Sequence, residues 1–159
     1  MKVYLDTCII SGIAKQDIKD EDLVALTEIL KMHKDNKVEI VTSEVAKEEL
    51  NKIPPEYRSK HLMVYNLLNN VPTVEYLKLN FFSVGFPVKQ TKEFGELFSL
   101  LKDKGDAQYI YQAFRNGVDF FLTVDKKTIL SHHSDIQSIC GVKVLSPNRF
   151  ISVNDASMT

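Results

Sequence analysis

The sequence predicts an α/β fold, a three-layer α/β/α sandwich around a mostly parallel central sheet of about five strands. Short runs of β-branched and aromatic residues alternate along the chain with longer segments whose apolar residues recur at helical spacing. The strand candidates are continuously apolar, which is typical of strands that helices cover on both faces. The length of 159 residues suits one domain.

The first strand is predicted at residues 3–5, within an apolar stretch that continues beyond Asp6. We interpret this N-terminal stretch as a strand and not as a signal peptide, because Asp6 divides it and no cationic segment precedes it. A helix with apolar residues at helical spacing follows, with Asp22 as its expected N-cap. That helix should end at the Asp35-Asn36 turn.

A second strand and its helix follow directly. Residues 38–42 form the strand, and Ser43 is a favourable N-cap for a helix over residues 44–53. The Pro54-Pro55 pair should stop this helix.

The middle of the chain is less regular. We predict a helix over residues 56–70, a strand over 74–79 and a loop over 80–91. The residues expected to form the core face of that helix are Leu62, Met63, Leu67 and Leu68.

The last third returns to a regular alternation of helices and strands. A helix over residues 92–102 precedes a second one that Asp106 should cap and that the Asn116-Gly117 turn should end. Residues 120–124 read as a buried strand, followed by a helix that contains Ile129 and Leu130. The final strand is predicted at residues 142–145.

Composition excludes several classes of protein. With 44% hydrophobic and 26% charged residues, wholesale disorder is excluded. The net charge of -1 provides no global positive field for a polyanion. Two cysteines, Cys8 and Cys140, do not make a disulfide scaffold or a zinc site. Since no apolar run approaches the roughly 18 residues that span a bilayer, we expect a soluble cytoplasmic protein without a membrane partner.

Four acids fall where the pattern predicts burial or the end of an element. Asp6 and Asp125 each follow a predicted buried strand, and Asp106 follows Gly105 at a helix start. In open α/β sheets, ligands bind beyond the carboxyl ends of the strands. Glu49 lies at the edge of the apolar stripe of the 44–53 helix, and it is the preferred inward-facing acid.

The choice of Glu49 leaves two neighbours as alternatives. Glu44 and Glu48 align with Lys52 along the other side of the helix, which favours a solvated face for them. Because helix boundaries shift by a residue or more, either could replace Glu49.

Carboxylates that converge repel each other unless a cation lies among them. An all-oxygen ligand set without His or Cys favours Mg²⁺ or Mn²⁺ over Zn²⁺, and such ions activate water against phosphodiesters. Each acid also has an ordinary explanation: Asp106 as a helix cap, Asp125 as a turn residue and Glu49 as a partly exposed helix residue. From the residues alone, a metal site and separate structural roles both remain open, and the number of ions is undetermined.

Four segments resemble the motifs of the PIN-domain ribonucleases. They are VYLDTCII, VTSEVAKEEL, KGDAQYIYQAF and NGVDFFLTVDKKTIL, and the terminal VLSPNRFI is similar to the usual closing segment. In order along the chain, Asp6, Glu49, Asp106 and Asp125 occupy the places of the family's four acids. The resemblance covers most of the chain, and 19 residues separate Asp106 from Asp125.

The resemblance implies a single PIN-like nuclease domain over residues 1–151, followed by a C-terminal tail over 152–159. It also implies Mg²⁺- or Mn²⁺-dependent endonucleolytic cleavage of RNA, with all four acids as catalytic metal ligands. Many family members are toxins of toxin–antitoxin pairs and form homodimers, which would give this chain an antitoxin partner and a second copy. Two departures stand out: Cys8 stands near where a small polar residue such as Asn or Ser is frequent, and the stretch over 54–92 is longer than in compact toxins.

Several neighbours of these acids are candidates for supporting roles. Thr7 and Thr123 could orient a carboxylate or a metal-bound water, or could simply form local hydrogen bonds. Lys126 and Lys127 could contact RNA phosphates, or could be solvated residues at an element end. The same two alternatives apply to Lys102 and Lys104.

Three other functions compete with an endoribonuclease. A DNA-directed nuclease would use the same kind of site, because the site itself does not select the sugar. A non-catalytic PIN-like module would bind RNA or protein without cleaving, although the four acids argue against it. A phosphatase with a nucleophilic Asp6 lacks the second acid that such sites carry two residues on, where Cys8 stands.

Overall fold

The computed structural model describes residues 1–59, 62–72 and 91–158, and within them the side chains of residues 44, 45, 49 and 155–158 are not described. The strands are β1 (Lys2–Leu5), β2 (Glu39–Thr42), β3 (Phe120–Leu122) and β4 (Lys143–Leu145). The helices are α1 (Thr7–Lys15), α2 (Asp20–Lys34), α3 (Glu44–Lys52), α4 (Pro55–Arg58), α5 (Leu62–Asn69), α6 (Lys92–Leu101), α7 (Lys104–Arg115), α8 (His133–Cys140) and α9 (Pro147–Met158).

The described part of the chain contains one parallel sheet of four strands in the order β2-β1-β3-β4. The prediction of about five strands is therefore not met there. The one predicted strand without a counterpart, over residues 74–79, lies outside the described residues, and so does most of the predicted loop over 80–91. The parallel arrangement itself is confirmed, and it follows from the helical connections between successive strands.

Helices cover both faces of the sheet, which is compatible with a three-layer α/β/α fold. Side chains of β1 alternate between the faces, so that Val3 and Leu5 join one apolar cluster while Tyr4 joins the other. The first cluster contains buried residues of α1, α2, α3, α5 and α9, and the second contains those of α6, α7 and α8. Tyr4 stacks on Phe121 of the neighbouring strand at 5.0 Å between ring centroids.

The first strand is shorter than its apolar run suggests. β1 ends at Leu5, and α1 begins at Thr7 with Ile9, Ile10 and Ile13 buried. Periodicity cannot separate a buried strand from a buried helix over so short a run, which explains why the sequence did not reveal α1.

The predicted cap of α2 was wrong. Lys19, and not Asp22, is the N-cap residue, and Asp22 lies inside the first turn with its side chain buried. Its Oδ1 accepts the backbone N–H of Asn148 at 3.0 Å. The carboxylate therefore satisfies an otherwise open donor at the start of α9.

The N-caps of α3 and α7 agree with the prediction in one case and differ from it in the other. Ser43 caps α3 as predicted, with its Oγ accepting the N–H of Ala46 at 3.1 Å. The predicted cap of α7 was wrong, because Asp103 holds that position and its Oδ1 accepts the N–H of Asp106 at 2.9 Å. Asp103 lies three residues before Asp106, and it is the N-cap because α7 begins at Lys104.

The helix predicted over residues 56–70 is divided into α4 and α5. Leu62 and Met63, which were expected in the core, are exposed, whereas Val64, Tyr65 and Leu68 are buried. α5 packs against α2 and α3, and the residues that it buries there differ from the predicted face.

The end of the chain differs in detail from the prediction. β3 ends at Leu122, and a turn leads to a short 3₁₀ helix over Leu130–His132 in place of a helix that contains Ile129. The last helix, α9, continues from Pro147 through the predicted boundary after residue 151.

Among the residues that the structure describes, no helix combines the length and the apolar character that crossing a bilayer requires.

Candidate active site

Three of the four predicted acids lie at one edge of the sheet. Asp6 follows β1 directly, and Asp125 comes three residues after the end of β3. These two strands are neighbours and parallel, so their carboxyl ends meet. The chain order changes direction between them, since β2 lies on the other side of β1, and this is the switch point where open sheets bind ligands.

Asp6 is buried and enclosed by hydroxyl and thiol groups. Only 3% of the surface of Asp6 is exposed to solvent. The hydroxyl of Thr123 donates to Asp6 Oδ2 at 2.7 Å, and Cys8 Sγ lies 2.9 Å from the same oxygen. The hydroxyl of Thr7 is 3.4 Å from Oδ1, a longer contact. Burial raises the pKa of Asp6, and the hydrogen bonds from Cys8, Thr123 and Thr7 oppose that effect.

Thr123 links the acids that follow the two strands. Besides donating to Asp6, its Oγ1 accepts the backbone N–H of Asp125 at 3.0 Å. Cys8 completes the link, with its Sγ 3.0 Å from Thr123 Oγ1 and 3.3 Å from the N–H of Val124, which donates to it. The position of Asp125 is thus tied to that of Asp6 by Thr123, which directly follows β3, and by Cys8 in the first turn of α1.

Asp125 is also held by the turn that it begins. Its Oδ1 accepts the backbone N–H groups of Lys127 and Thr128, both at 3.0 Å. The turn role that the sequence left open is therefore present. It uses one carboxylate oxygen and leaves Oδ2 for another ligand.

Asp106 belongs to the same group of charges. It lies in the first turn of α7, half-buried, where Asp103 takes the capping role and leaves the Asp106 carboxylate available. Burial raises the pKa of Asp106 to about 6, with further contributions from the negative charges of Asp103, Asp6 and Asp125. Residues far apart in the sequence thus form one acidic cluster, which we define as Asp6, Asp106 and Asp125.

The predicted fourth acid is only partly described. The backbone of α3 begins directly after the carboxyl end of β2, next to β1 in the sheet. Glu48 is exposed on this helix, and the side chains of Glu44 and Glu49 lie outside the described part of the structure. The preference for Glu49 over its two neighbours therefore stays a prediction.

The acidic cluster alone does not form a closed cage. Within the described side chains, no three His, Cys, Asp or Glu residues come close enough together to hold a metal ion. Mg²⁺ usually keeps several waters and binds through one or two carboxylates, so an open cluster of this kind fits it. The donor set in the cluster is carboxylate oxygen with one neighbouring thiol.

The predicted phosphate contacts lie beside Asp125. Lys126 and Lys127 are both exposed, and Lys126 lines a cleft next to the cluster. Lys102 and Lys104 are exposed at the junction between α6 and α7.

Two features of the site were not predicted from the sequence. The first is the role of Cys8, whose thiol contacts both Asp6 and Thr123. The spacing of two residues after Asp6, at the start of a helix, was the signal that could have revealed it. The second is a pair of lysines, Lys15 at the end of α1 and Lys19 just before α2, which line a cleft beside the acidic cluster. The short segment that contains them has no periodic pattern that could have revealed this.

Comparison with protein-family models, with curated proteins and with solved structures finds no match for this chain.

Proposed function

We propose that this protein is a Mg²⁺- or Mn²⁺-dependent endoribonuclease of the PIN type, with a three-layer α/β/α architecture. The observation that carries the proposal is the convergence of Asp6, Asp106 and Asp125 from three separate elements upon one edge of the sheet, close enough for each to influence the pKa of Asp106. Uncompensated acids of this kind destabilise a fold, so their conjunction favours a bound cation.

The residues fit a hard divalent cation. Asp6 and Asp125 would hold it at the ends of β1 and β3, and Asp106 would complete the charge from α7. A glutamate of α3, with Glu49 preferred, would be the fourth ligand. A bound Mg²⁺ or Mn²⁺ supplies an activated water and stabilisation of the charge that develops on a phosphodiester.

The remaining residues of the site position these ligands. Thr123 and Cys8 fix the orientation of Asp6 and the backbone at Asp125. Such partners around metal ligands set their geometry and basicity. With a pKa of about 6, Asp106 is mostly ionised at neutral pH and contributes its negative charge to the cluster.

RNA as substrate, a cytoplasmic location, an antitoxin partner and a homodimer complete the proposal. Their support is the motif resemblance, in which the four segments and their order match. With a net charge of -1, the protein would hold RNA through local lysines and not through a global field.

The test is cleavage of a mixed-sequence single-stranded RNA, and of its DNA counterpart, in Mn²⁺, Mg²⁺ or EDTA. We expect metal-dependent cutting of RNA by the wild type and a loss of at least about 100-fold in Asp6→Asn, which retains the shape of the side chain but loses a ligand charge. Asp35→Asn is the matched control, because Asp35 is an exposed acid at the end of α2, just before the amino end of β2.

Thermal melts of the same samples separate the alternatives. A metal-induced rise in Tm that Asp6→Asn removes, without cutting of either nucleic acid, would favour a binding module with an intact cation site. Cutting of DNA and not of RNA would replace the proposed substrate. Equal activity in wild type and Asp6→Asn would refute the site.

A further inference from the structure

A cleft of about 380 Å³ opens beside the acidic cluster. It lies between α1, the loop that leads to α2 and the turn after β3. Cys8 and Asp125 form part of its wall, so the cleft adjoins the acids directly. Its volume is within the range of about 300–1,000 Å³ that is common for small-molecule sites.

Three lysines from different elements line this cleft. Lys15 comes from the end of α1, Lys19 from the N-cap of α2, and Lys126 from the turn after Asp125. Lys19 and Lys126 thus border the cleft from segments that are far apart in the sequence. Lysine ammonium groups around one cleft provide charged donors for an anion such as a phosphate group.

The carboxylates near these lysines are mostly engaged elsewhere. Asp22 Oδ1 accepts the N–H of Asn148, and Asp125 Oδ1 accepts two N–H groups of its own turn. The Lys19–Glu21 ion pair has a 3.6 Å separation and is exposed on both sides, so it is weak. Three acids line the cleft, namely Asp17, Asp22 and Asp125, so they equal the lysines in number. With Asp125 assigned to the cation, the three lysines outnumber the two remaining acids.

The loop that carries Lys19 is fixed by backbone hydrogen bonds. The carbonyl of Gly12 accepts the N–H groups of Asp17 and Ile18, at 3.0 and 3.3 Å. Gln16 adopts a left-handed conformation with φ of 58°, which closes α1 and turns the chain toward α2. The backbone at Lys19 is thus set in place before any ligand binds.

We propose that this cleft binds the RNA nucleotide adjacent to the scissile phosphate, with Lys19 and Lys126 contacting its phosphate group. The inference rests on the proposed nuclease function, and it assigns the substrate's path to the α1–α2 side of the acidic cluster. Contacts to phosphate carry no sequence information, so the cleft would set the register of the strand and not its sequence.

The experiment measures binding of a short fluorescein-labelled single-stranded RNA in EDTA over a range of salt concentrations, and the KM for cleavage in Mn²⁺. The test variant is Lys19→Gln/Lys126→Gln. The control is Lys31→Gln/Lys34→Gln. It removes two exposed lysines from the last turn of α2, about 20 Å from the helix start that Lys19 precedes. Both variants should melt at the wild-type temperature.

We expect the test variant to bind RNA about tenfold more weakly at moderate salt, with its log–log salt slope smaller by about 0.7 to 1.4. Its KM should rise in proportion while kcat at saturation is retained. The control should bind as the wild type does. Equal losses in both variants would overturn the cleft as a specific site and leave only a general charge effect.

The two proposals fail in different ways. If the wild type cuts RNA and the test variant binds and cuts normally, the cleft assignment is wrong and the nuclease stands. If the wild type does not cut RNA but loses RNA binding through the test variant alone, the cleft stands and the catalytic proposal is wrong.

Discussion

At the scale of single residues, Thr123 connects the two acids that follow the central strands. Its hydroxyl is fully buried, donates to Asp6 and accepts from the backbone of Asp125. One side chain therefore orients the acids after both central strands. The sequence suggested this role from proximity alone, while the distances decide between it and a purely local hydrogen bond.

Replacing Thr123 by Val retains the shape and removes the hydroxyl. We expect cleavage to fall about 10- to 100-fold, because Asp6 loses its shortest hydrogen bond and Asp125 loses its backbone anchor. Thr123→Ser retains the hydroxyl and should recover most of the activity. RNA cleavage rates in saturating Mn²⁺ provide the measurement. Full activity in Thr123→Val would show that the hydroxyl does not position the acids.

The pH dependence of stability tests Asp106. Its pKa is about 6 in the folded protein, against an ordinary value of 3.8. Because the folded state binds this proton more tightly than the unfolded chain does, the contribution of Asp106 to stability is complete below the ordinary pKa and is lost as the pH rises through about 6. Asp106→Asn has no such loss.

We therefore expect the Tm of Asp106→Asn, relative to the wild type in EDTA, to rise from about pH 4 to about pH 7 and then level off. Asp35→Asn, at an exposed position, serves as the control and should follow the wild type without this trend. A Tm difference for Asp106→Asn that does not change with pH would show that the folded protein does not raise the pKa of Asp106.

At the scale of elements, the start of α7 separates a structural acid from a candidate catalytic one. Asp103 is exposed and caps the helix, whereas Asp106 is half-buried beside the cluster. Both satisfy the sequence preference for acids near a helix N-terminus. Sequence alone cannot assign the two roles, because a shift of the helix start by a few residues exchanges them.

Substitutions at Asp103 isolate the cap. We expect Asp103→Ala to lower the free energy of unfolding by about 1 kcal/mol relative to Asp103→Asn, since Asn retains the capping oxygen. Both variants remove the same negative charge near Asp106, so their difference reports the hydrogen bond to its N–H. Urea denaturation at neutral pH measures it. Equal stability of the two variants would mean that the cap contributes nothing.

The junction between β1 and α1 shows a second limit of element-level prediction. A mostly apolar run from Val3 to Ile10, which Asp6 and Thr7 interrupt, spans the end of β1 and the start of α1. The residues of both elements within this run are mostly apolar, so the change from strand to helix period is hidden in so few residues. The turn between them is what places Cys8 next to Asp6.

At the scale of the whole molecule, the strand order determines where the chemistry can occur. β1 and β3 are separated by more than a hundred residues in sequence, yet they are paired in register from Val3 and Phe120. Their pairing brings Asp6 and Asp125 together at the carboxyl ends of the strands. α7 adds Asp106 from the face of the sheet opposite to α1 and α2. The cleft lysines approach from the α1–α2 side.

The sequence by itself determined the α/β class, most strands and helices, and the proximity of three acids, Asp6, Asp106 and Asp125, because apolar periodicity and the positions of acids at element ends are local properties. Tertiary structure decided what those patterns do not contain. It selected Asp103 over Asp106 as a cap, placed the Cys8 thiol and the Thr123 hydroxyl on Asp6, and brought Lys19 and Lys126 to the wall of one cleft. Each of these contacts depends on distances between atoms, most of them across elements, and such distances are set by packing rather than by any run of neighbouring residues.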